Sequence, residues 1–267
     1  MSEPFEWVEH DGLRFRCRRD GPGRAAPWIV FSNSLMTDLT VWDAQVAALK
    51  DRFNILRYDQ RGHGGTDVPD APCDFAQLGQ DVLALMAHFG IGTCTYVGLS
   101  MGVTTGFYLL RERPEVIERA IFSDGQVVTA PTGHAAWEER IETARRIGMP
   151  ELAKATAERW FSDAFRAAGS GQQAESVAAS MPVEGFVACA RALQDYDFRD
   201  VMAGIRVPVL LMAGQNDGQM PDTMQRMAAQ IPGAEMKVIP DAGHIPCYEQ
   251  PEAFNRNMLD FLARTGA

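Results

Sequence analysis

Hydrophobic positions along the chain fall into short apolar runs, separated by longer segments in which they recur every three or four residues. Two alternating segments near the beginning meet at Asp11-Gly12, a dipeptide that suits the positive φ angles of a hairpin turn. The later runs are typical of buried strands, and the periodic segments are typical of amphipathic helices. We therefore predict strands over residues 6–10, 13–18, 28–33, 54–59, 94–99, 120–123, 207–213 and 235–239. We predict helices over residues 42–50, 75–89, 101–111, 223–230 and 251–263.

The alternation of strands and helices predicts an α/β fold with a mainly parallel, eight-stranded sheet that carries helices on both faces. The alternation stops between residues 127 and 204, where helical periodicity continues without a convincing strand. We interpret residues 127–204 as a helical cap, inserted into a core of residues 1–126 and 205–267 and placed over the carboxyl ends of the strands, where α/β sheets bind ligands. Within the cap, residues 167–173 are rich in Gly, Ala and Gln and predict a flexible connection between helices.

Composition and charge limit the kinds of molecule that we expect the protein to bind. The chain is 46% hydrophobic and 22% charged, as in ordinary globular proteins, and its net charge of −10 without a basic stripe argues against nucleic acid. The first residues are acidic and polar, and no stretch is long enough to cross a bilayer, so we expect a cytoplasmic protein without membrane contact. The five cysteines and five histidines are dispersed, which predicts free thiols and neither a metal nor another cofactor.

The segment Gly98-Leu99-Ser100-Met101-Gly102 matches the pattern G-x-S-x-G. It lies between a predicted strand and a predicted helix, and such a sharp turn holds its serine exposed at the helix N-terminus. The glycines on either side leave room for close backbone approach. We therefore predict that Ser100 is a nucleophile, and the alternative is a serine that only caps the helix.

A serine hydroxyl is a weak nucleophile, so it needs a base and a third group that fixes the tautomer of that base. His244 and Asp217 each follow a predicted strand, and the chain order is Ser, Asp, His. The carboxyl ends of strands in one parallel sheet face the same crevice, so these side chains should meet Ser100. Asp124, at the end of another predicted strand, is the alternative acid.

Two backbone N–H groups should stabilise the negative charge that develops on the attacked carbonyl oxygen. One is that of Met101, directly after the nucleophile, and the other comes from the loop after the strand 28–33, where we choose Leu35. These two groups form the predicted oxyanion hole.

The glycine-rich segment 57–67 follows a strand and could be read as a nucleotide-binding loop. It fails the dinucleotide fingerprint because Asp67 stands where the third glycine belongs. We interpret the segment as scaffold, with a substrate-binding role for Arg61 or His63 as the alternative.

These features resemble the α/β-hydrolase superfamily over essentially the whole chain. The resemblance is carried by the turn at 98–102, the loop Asp59-x-Arg61-Gly62-x-Gly64 and the turns that hold Asp217 and His244. A closer likeness is to the 3-oxoadipate enol-lactonases, whose oxyanion strand runs Ser-Asn-Ser-Leu, as Ser32-Asn33-Ser34-Leu35 does here. The likeness extends into the cap at Trp137, Arg140, Gly148-Met149, Arg159-Trp160-Phe161 and Cys189-Ala190. Departures are Met36, where those enzymes usually have glycine, Val103, where a further glycine is common, and residues 123–126, where they usually have an Asn-Thr segment.

The resemblance implies a cofactor-free serine hydrolase that acts on a small lactone or ester bearing a carboxylate. The substrate it implies is 3-oxoadipate enol-lactone, hydrolysed to 3-oxoadipate in aromatic catabolism. The candidate substrate-binding residues are Trp137, Arg140, Arg159, Trp160 and Met36. The alternatives are a perhydrolase or haloperoxidase-like esterase acting on simple esters, and a ligand receptor on the same fold without turnover.

Helical spacing places Arg159 on the face that contains Leu152 and Thr156, away from solvent, where an arginine needs an anionic partner. Arg140 lies at the edge of the face formed by Trp137, Ile141 and Ala144. The first candidate for binding the substrate carboxylate is Arg159, and Arg140 or Arg61 is the next. The alternatives for Arg159 are an ion pair with Glu158 or Asp163, or a side chain that extends to water.

Overall fold

A computed structural model of the protein describes residues 5–23 and 25–266. The parts of the predicted core at residues 1–4, 24 and 267 lie outside the described residues. The eight predicted strands are present, with bounds that differ by a few residues at most. They are β1 (Glu6–His10), β2 (Leu13–Asp20), β3 (Trp28–Ser32), β4 (Asn54–Tyr58), β5 (Cys94–Leu99), β6 (Ile117–Ser123), β7 (Val209–Gly214) and β8 (Glu235–Ile239).

The strands form one eight-stranded sheet in the order β1-β2-β4-β3-β5-β6-β7-β8. β1 and β2 are antiparallel and joined at Asp11 and Gly12, which adopt φ angles of 51° and 74° as a tight hairpin requires. β2 and β4 are also antiparallel, whereas every pair from β4 across to β8 is parallel. The predicted mainly parallel sheet and the hairpin that opens it are therefore confirmed.

The helices follow the predicted order, with additional short helices near the end of the chain and in the cap. Their bounds are α1 (Asp43–Leu49), α2 (Phe75–His88), α3 (Met101–Glu112), α4 (Gly133–Trp160), α5 (Asp163–Ala167), α6 (Gln172–Ser180), α7 (Val183–Ala192), α8 (Arg199–Met202), α9 (Met220–Ala228), α10 (Pro246–Glu249) and α11 (Pro251–Arg264). Among the helices described, none combines the length and the apolar character needed to span a membrane.

The centre of the sheet is covered on both faces. All residues of β4, β5 and β7 are buried, and consecutive side chains of a strand point to opposite faces, so neither face of these strands meets solvent. Around the sheet, α2 packs on α3, while α1 packs on α10 and α11. The five cysteines are buried free thiols within this packing.

Helices α4 to α8 all lie between β6 and β7, so residues 127–204, which we call the cap, are helical as predicted. α4 is broken at Gly148, whose φ of 80° is outside the helical range, and Pro150 follows. Residues 168–171 connect α5 to α6 inside the segment predicted as a connection. The division of the chain into two domains stays a prediction.

The buried face of α4 after Gly148 differs from the predicted one. Its buried positions are Met149, Leu152, Ala153, Thr156, Ala157 and Trp160. Arg159 is exposed, so the prediction that it lies away from solvent is wrong. The apolar positions after Gly148 are compatible with two alternative buried faces of the helix, which are offset by about one residue along the sequence. Packing of the cap buries the face that includes Trp160.

Candidate active site

Ser100 lies on the sharp turn between β5 and α3, with φ 52° and ψ −107°, a strained conformation for a residue other than glycine. The neighbouring glycines are required by close contacts. A Cβ atom on Gly98 would lie 2.5 Å from the carbonyl oxygen of Gly102, and one on Gly102 would lie 2.3 Å from that of Ser32. The G-x-S-x-G spacing therefore permits the turn that presents the hydroxyl at the edge of the sheet.

The loops after β7 and β8 bring Asp217 and His244 to this serine. His244 Nε2 lies 3.0 Å from Ser100 Oγ, and His244 Nδ1 lies 2.7 Å from Asp217 Oδ2. In this chain of hydrogen bonds the carboxylate can fix the tautomer that leaves Nε2 free to accept the serine proton. Asp124, the alternative acid, is close by, but its oxygens accept hydrogen bonds from Gly214 N–H and the Ser123 hydroxyl.

The two predicted oxyanion donors belong to the residue after Ser100 and to a residue that lines the same cavity as Ser100. Leu35 lines the cavity that contains Ser100, and its N–H has no acceptor among the described residues. Met101 is the first residue of α3, where a backbone N–H has no partner within the helix. Both groups are therefore available to a bound oxyanion.

The N–H of Met36, next along the loop, is already used: it donates to His63 Nε2 at 3.1 Å, while His63 Nδ1 lies 3.0 Å from the carbonyl oxygen of Arg61. Met36 has a φ of 67°, the left-handed region that favours the glycine usual at this position in enol-lactonases. Its side chain contacts Thr156 of the cap and does not line the cavity. The structure therefore does not bring Met36 to the site, contrary to the prediction for this residue.

The hydrogen bonds of His63 predict a pH effect on stability. Burial lowers the pKa of His63 to about 4, so the ring stays neutral in the folded protein while an unfolded histidine titrates near about 6.5. Between these values the unfolded chain binds more protons, so the free energy of unfolding falls as pH falls, by about 3 kcal/mol over the window. The amide of glutamine can both donate and accept a hydrogen bond but does not titrate. We therefore expect the free energy of unfolding of His63→Gln to fall between pH 7 and pH 4 by about 3 kcal/mol less than that of the wild type.

Urea unfolding of the wild type and of His63→Gln at both pH values measures this effect. His134→Gln is the control, since His134 is exposed. Equal losses of stability in all three proteins would contradict the assignment of a neutral, buried His63.

A cavity of about 260 Å³ opens beside Ser100, between the carboxyl ends of the strands and the cap. Four of the predicted substrate-binding residues line it: Trp137, Arg140, Arg159 and Trp160. The sequence analysis missed several further lining residues, which are Ser34, Thr104, Gln126, Leu193, Tyr196 and Met220. Ser34 belongs to the Ser32-Asn33-Ser34-Leu35 pattern and Gln126 to the segment 123–126. The others come from distant segments without a shared motif, so only the cap's position over the sheet identifies them.

Arg140 and Arg159 are the cations of this cavity. Neither forms an ion pair with any acidic side chain of residues 5–23 and 25–266, and Asp163, one suggested partner, pairs with Arg166 instead. The Arg140 guanidinium lies 4.5 Å from the centre of the Trp137 ring. Burial, and then the charge of Arg159, lower the pKa of Arg140 to about 9, so it remains charged at neutral pH. A half-buried cation without an anion is costly, and a bound carboxylate would offset that cost.

The glycine-rich segment 57–67 lies away from the cavity. Arg61 forms two hydrogen bonds to Asp81 and one to Asp11, and neither Arg61 nor His63 lines the cavity. The observed contacts match the scaffold interpretation.

Glu249 is a residue that the sequence analysis missed. Its carboxylate accepts the N–H of Gly243 at 2.7 Å and that of Ser162 at 2.9 Å, and its side chain is buried. Gly243 precedes His244 directly, and Ser162 follows the last residues of α4 in the cap. Glu249 therefore joins the histidine loop to the cap, although no pattern in the sequence marks it.

The chain is similar to known proteins over most of its length. Residues 22–257 match the Alpha/beta hydrolase family. The chain is 36% identical to 3-oxoadipate enol-lactonase 2 of Acinetobacter baylyi, over 89% of each chain. The enol-lactonase from Burkholderia xenovorans LB400 superimposes with a TM-score of 0.91 and 36% identity, over 97% of this chain and 100% of that one. A thermophilic esterase from Thermogutta terrifontis, solved with malate bound, superimposes with a TM-score of 0.92 and 25% identity, over 99% and 100%.

Proposed function

The chain belongs to the alpha/beta hydrolase family, and from this premise we propose a cofactor-free serine hydrolase that acts on a small lactone or ester bearing a carboxylate. Ser100 attacks the carbonyl carbon, and His244 accepts its proton. Asp217 orients the imidazole and stabilises its charged form. The N–H groups of Leu35 and Met101 donate to the oxyanion, a contribution of about 2.7 to 4 kcal/mol for each donor in comparable sites. The bond between the acyl carbon and the leaving oxygen then breaks, and His244 gives its proton to that oxygen. The neutral His244 next takes a proton from water, which attacks the acyl carbon, and returns this proton to Ser100 Oγ as the acyl group leaves.

The observation that carries the substrate class is the pair of arginines in the cavity without acidic partners. The protein is acidic overall, so an anionic substrate must be attracted locally, and a planar guanidinium can hold a carboxylate with two hydrogen bonds. Support also comes from two similar proteins, one named as an enol-lactonase and one solved with malate, a small dicarboxylate.

Within this class we propose 3-oxoadipate enol-lactone, an intermediate of aromatic catabolism, as the substrate. Opening of its ring releases an enol, which tautomerises to a ketone, so the return reaction is disfavoured. The product is 3-oxoadipate.

A turnover assay with the enol-lactone beside phenyl acetate tests the proposal. We expect a higher kcat/KM for the enol-lactone. Faster hydrolysis of phenyl acetate, without gain from a substrate carboxylate, would identify a simple esterase instead. A single burst without steady turnover on either compound would identify a receptor.

We expect Arg140→Met to lower kcat/KM for the acidic lactone by about 2 to 3 kcal/mol, or about 30- to 150-fold, because the substrate carboxylate loses its bidentate partner. Hydrolysis of phenyl acetate should change by less than about twofold, since that ester has no carboxylate. Arg140→Lys should recover only part of the loss, because an ammonium lacks the planar fork.

Arg159→Met tests the second cation, and we expect a smaller loss because Arg159 is more exposed. Arg146→Met, exposed on the same helix and away from the cavity, is the matched control. Equal losses on both substrates, with a lowered Tm, would mean that Arg140 stabilises the cap rather than the substrate.

A further inference from the structure

Asp124 is a carboxyl group that the proposed mechanism does not use, although it lines the cavity beside the histidine. It directly follows β6 with a φ of 49°, it is completely buried, and no Lys or Arg of the described chain forms an ion pair with it. It also falls in the segment 123–126, where the chain departs from the usual enol-lactonase pattern. A buried acid without a cation requires some other means of neutralisation.

The second carboxyl group of the site is the immediate neighbour of Asp124. One carboxylate oxygen of Asp124, one of Asp217 and one ring nitrogen of His244 all lie within 4.8 Å of one another. The buried thiol of Cys247 on α10 is a further titratable neighbour, since the charge of Asp124 helps to raise the pKa of that thiol. Asp217, His244 and Cys247 are therefore titratable neighbours of Asp124, and Arg140 and Arg159 line the same cavity.

Two carboxylates this close in a buried site do not both ionise, because each charge disfavours the other and burial disfavours both. Burial and the charge of Asp217 raise the pKa of Asp124 well above its usual range. Asp217 is the less buried of the two acids and already accepts a hydrogen bond from His244 Nδ1. The proton of the pair is therefore best placed on Asp124, where its O–H can donate to Asp217.

We propose that Asp124 is a protonated carboxylic acid at neutral pH and that it positions Asp217 by donating a hydrogen bond to it. The proton turns a repulsion between two acids into an attraction and leaves Asp217 ionised for His244. In this proposal Asp124 acts through Asp217 rather than on the reacting atoms, so it is a positioning residue. The positioning role depends on the proposed function, whereas the protonation state of Asp124 does not.

The variant Asp124→Asn tests the protonation state, since its amide has the shape and the neutral charge of the acid. We expect the infrared spectrum of the wild type at pH 7 to contain the carbonyl stretch of a neutral carboxylic acid that Asp124→Asn lacks. Asp222→Asn, which removes an exposed acid on α9, is the control and should leave that band in place. A wild-type spectrum without the band would overturn the proposal.

Stability against pH gives a second readout that needs no activity. Above about pH 5 an unfolded aspartate is ionised, so the folded wild type binds one proton more than the unfolded chain, and its stability falls as pH rises. Asp124→Asn lacks this dependence. The Tm of Asp124→Asn minus that of the wild type should therefore increase from pH 5 to pH 8. A Tm difference that stays constant, or that decreases as pH rises, would overturn the proposal.

Kinetics then test the positioning role. Asp124→Asn should keep kcat within about threefold and leave the acid limb of the kcat/KM profile in place, because no charge near His244 changes. Asp124→Ala, which cannot donate, should lower kcat and leave KM unchanged. A shift of the acid limb to lower pH by about one unit in Asp124→Asn would mean that an ionised carboxylate had been removed. Unchanged kcat in Asp124→Ala would exclude the positioning role.

Discussion

Ser100→Ala is expected to lower kcat by about 10⁶-fold, the loss measured when the nucleophile of a well-studied serine protease is removed. In the proposed mechanism Ser100 Oγ forms the covalent bond to the acyl group, and no other hydroxyl lies within hydrogen-bond distance of His244 Nε2 among the described residues. The remaining oxyanion donors and the cavity would still bind substrate, so KM should change little.

The Tm should stay close to that of the wild type, because the change removes one partly exposed oxygen from a strained turn. Ser176→Ala, which removes an exposed hydroxyl on α6, is the control and should retain full activity. A Ser100→Ala protein that keeps more than about a tenth of wild-type kcat would exclude the serine mechanism.

The parts of this site that the sequence predicted are those that depend on local chain geometry or on sheet topology. Ser100 could be identified because a turn between strand and helix needs Gly98 and Gly102, and this requirement is visible within five residues. Asp217 and His244 could be identified because the carboxyl ends of parallel strands meet at one edge, whatever their separation along the chain.

The parts that could not be predicted depend on how the cap packs. The apolar positions after Gly148 are compatible with two neighbouring faces, so the exposure of Arg159 follows only from the packing of Trp160 against the core. Glu249 accepts hydrogen bonds from the backbone N–H groups of Ser162 and Gly243. The sequence of the four-residue helix that contains Glu249 does not predict a contact with a residue 87 positions away along the chain. Tyr196 reaches the cavity from a loop without regular periodicity.

These contacts also describe how the cap and the catalytic loops depend on one another. Met36, next to the proposed oxyanion donor Leu35, contacts Thr156 of α4, while Glu249 joins the end of the same helix to the loop of His244. The cap therefore contacts both the oxyanion loop and the histidine loop. A change in the position of the cap would therefore displace the oxyanion loop and the histidine loop as well as the residues that line the cavity.

Asp217→Asn should lower kcat by about 10⁴-fold, the loss that the same exchange causes in a well-studied serine protease. The carboxylate can only accept the proton of His244 Nδ1, whereas an amide can donate to Nδ1 and so favour the tautomer that carries its proton on Nε2. That tautomer directs a proton at Ser100 Oγ and cannot remove one.

Asp124→Asn, by contrast, exchanges one neutral group for another and should stay within about threefold of the wild type. The kcat values of the two variants, each checked for an unchanged fold by circular dichroism, decide which acid serves the histidine. A larger loss in Asp124→Asn than in Asp217→Asn would assign that role to Asp124. The reason is that only the acid that accepts the Nδ1 proton of His244 decides which ring nitrogen carries the proton.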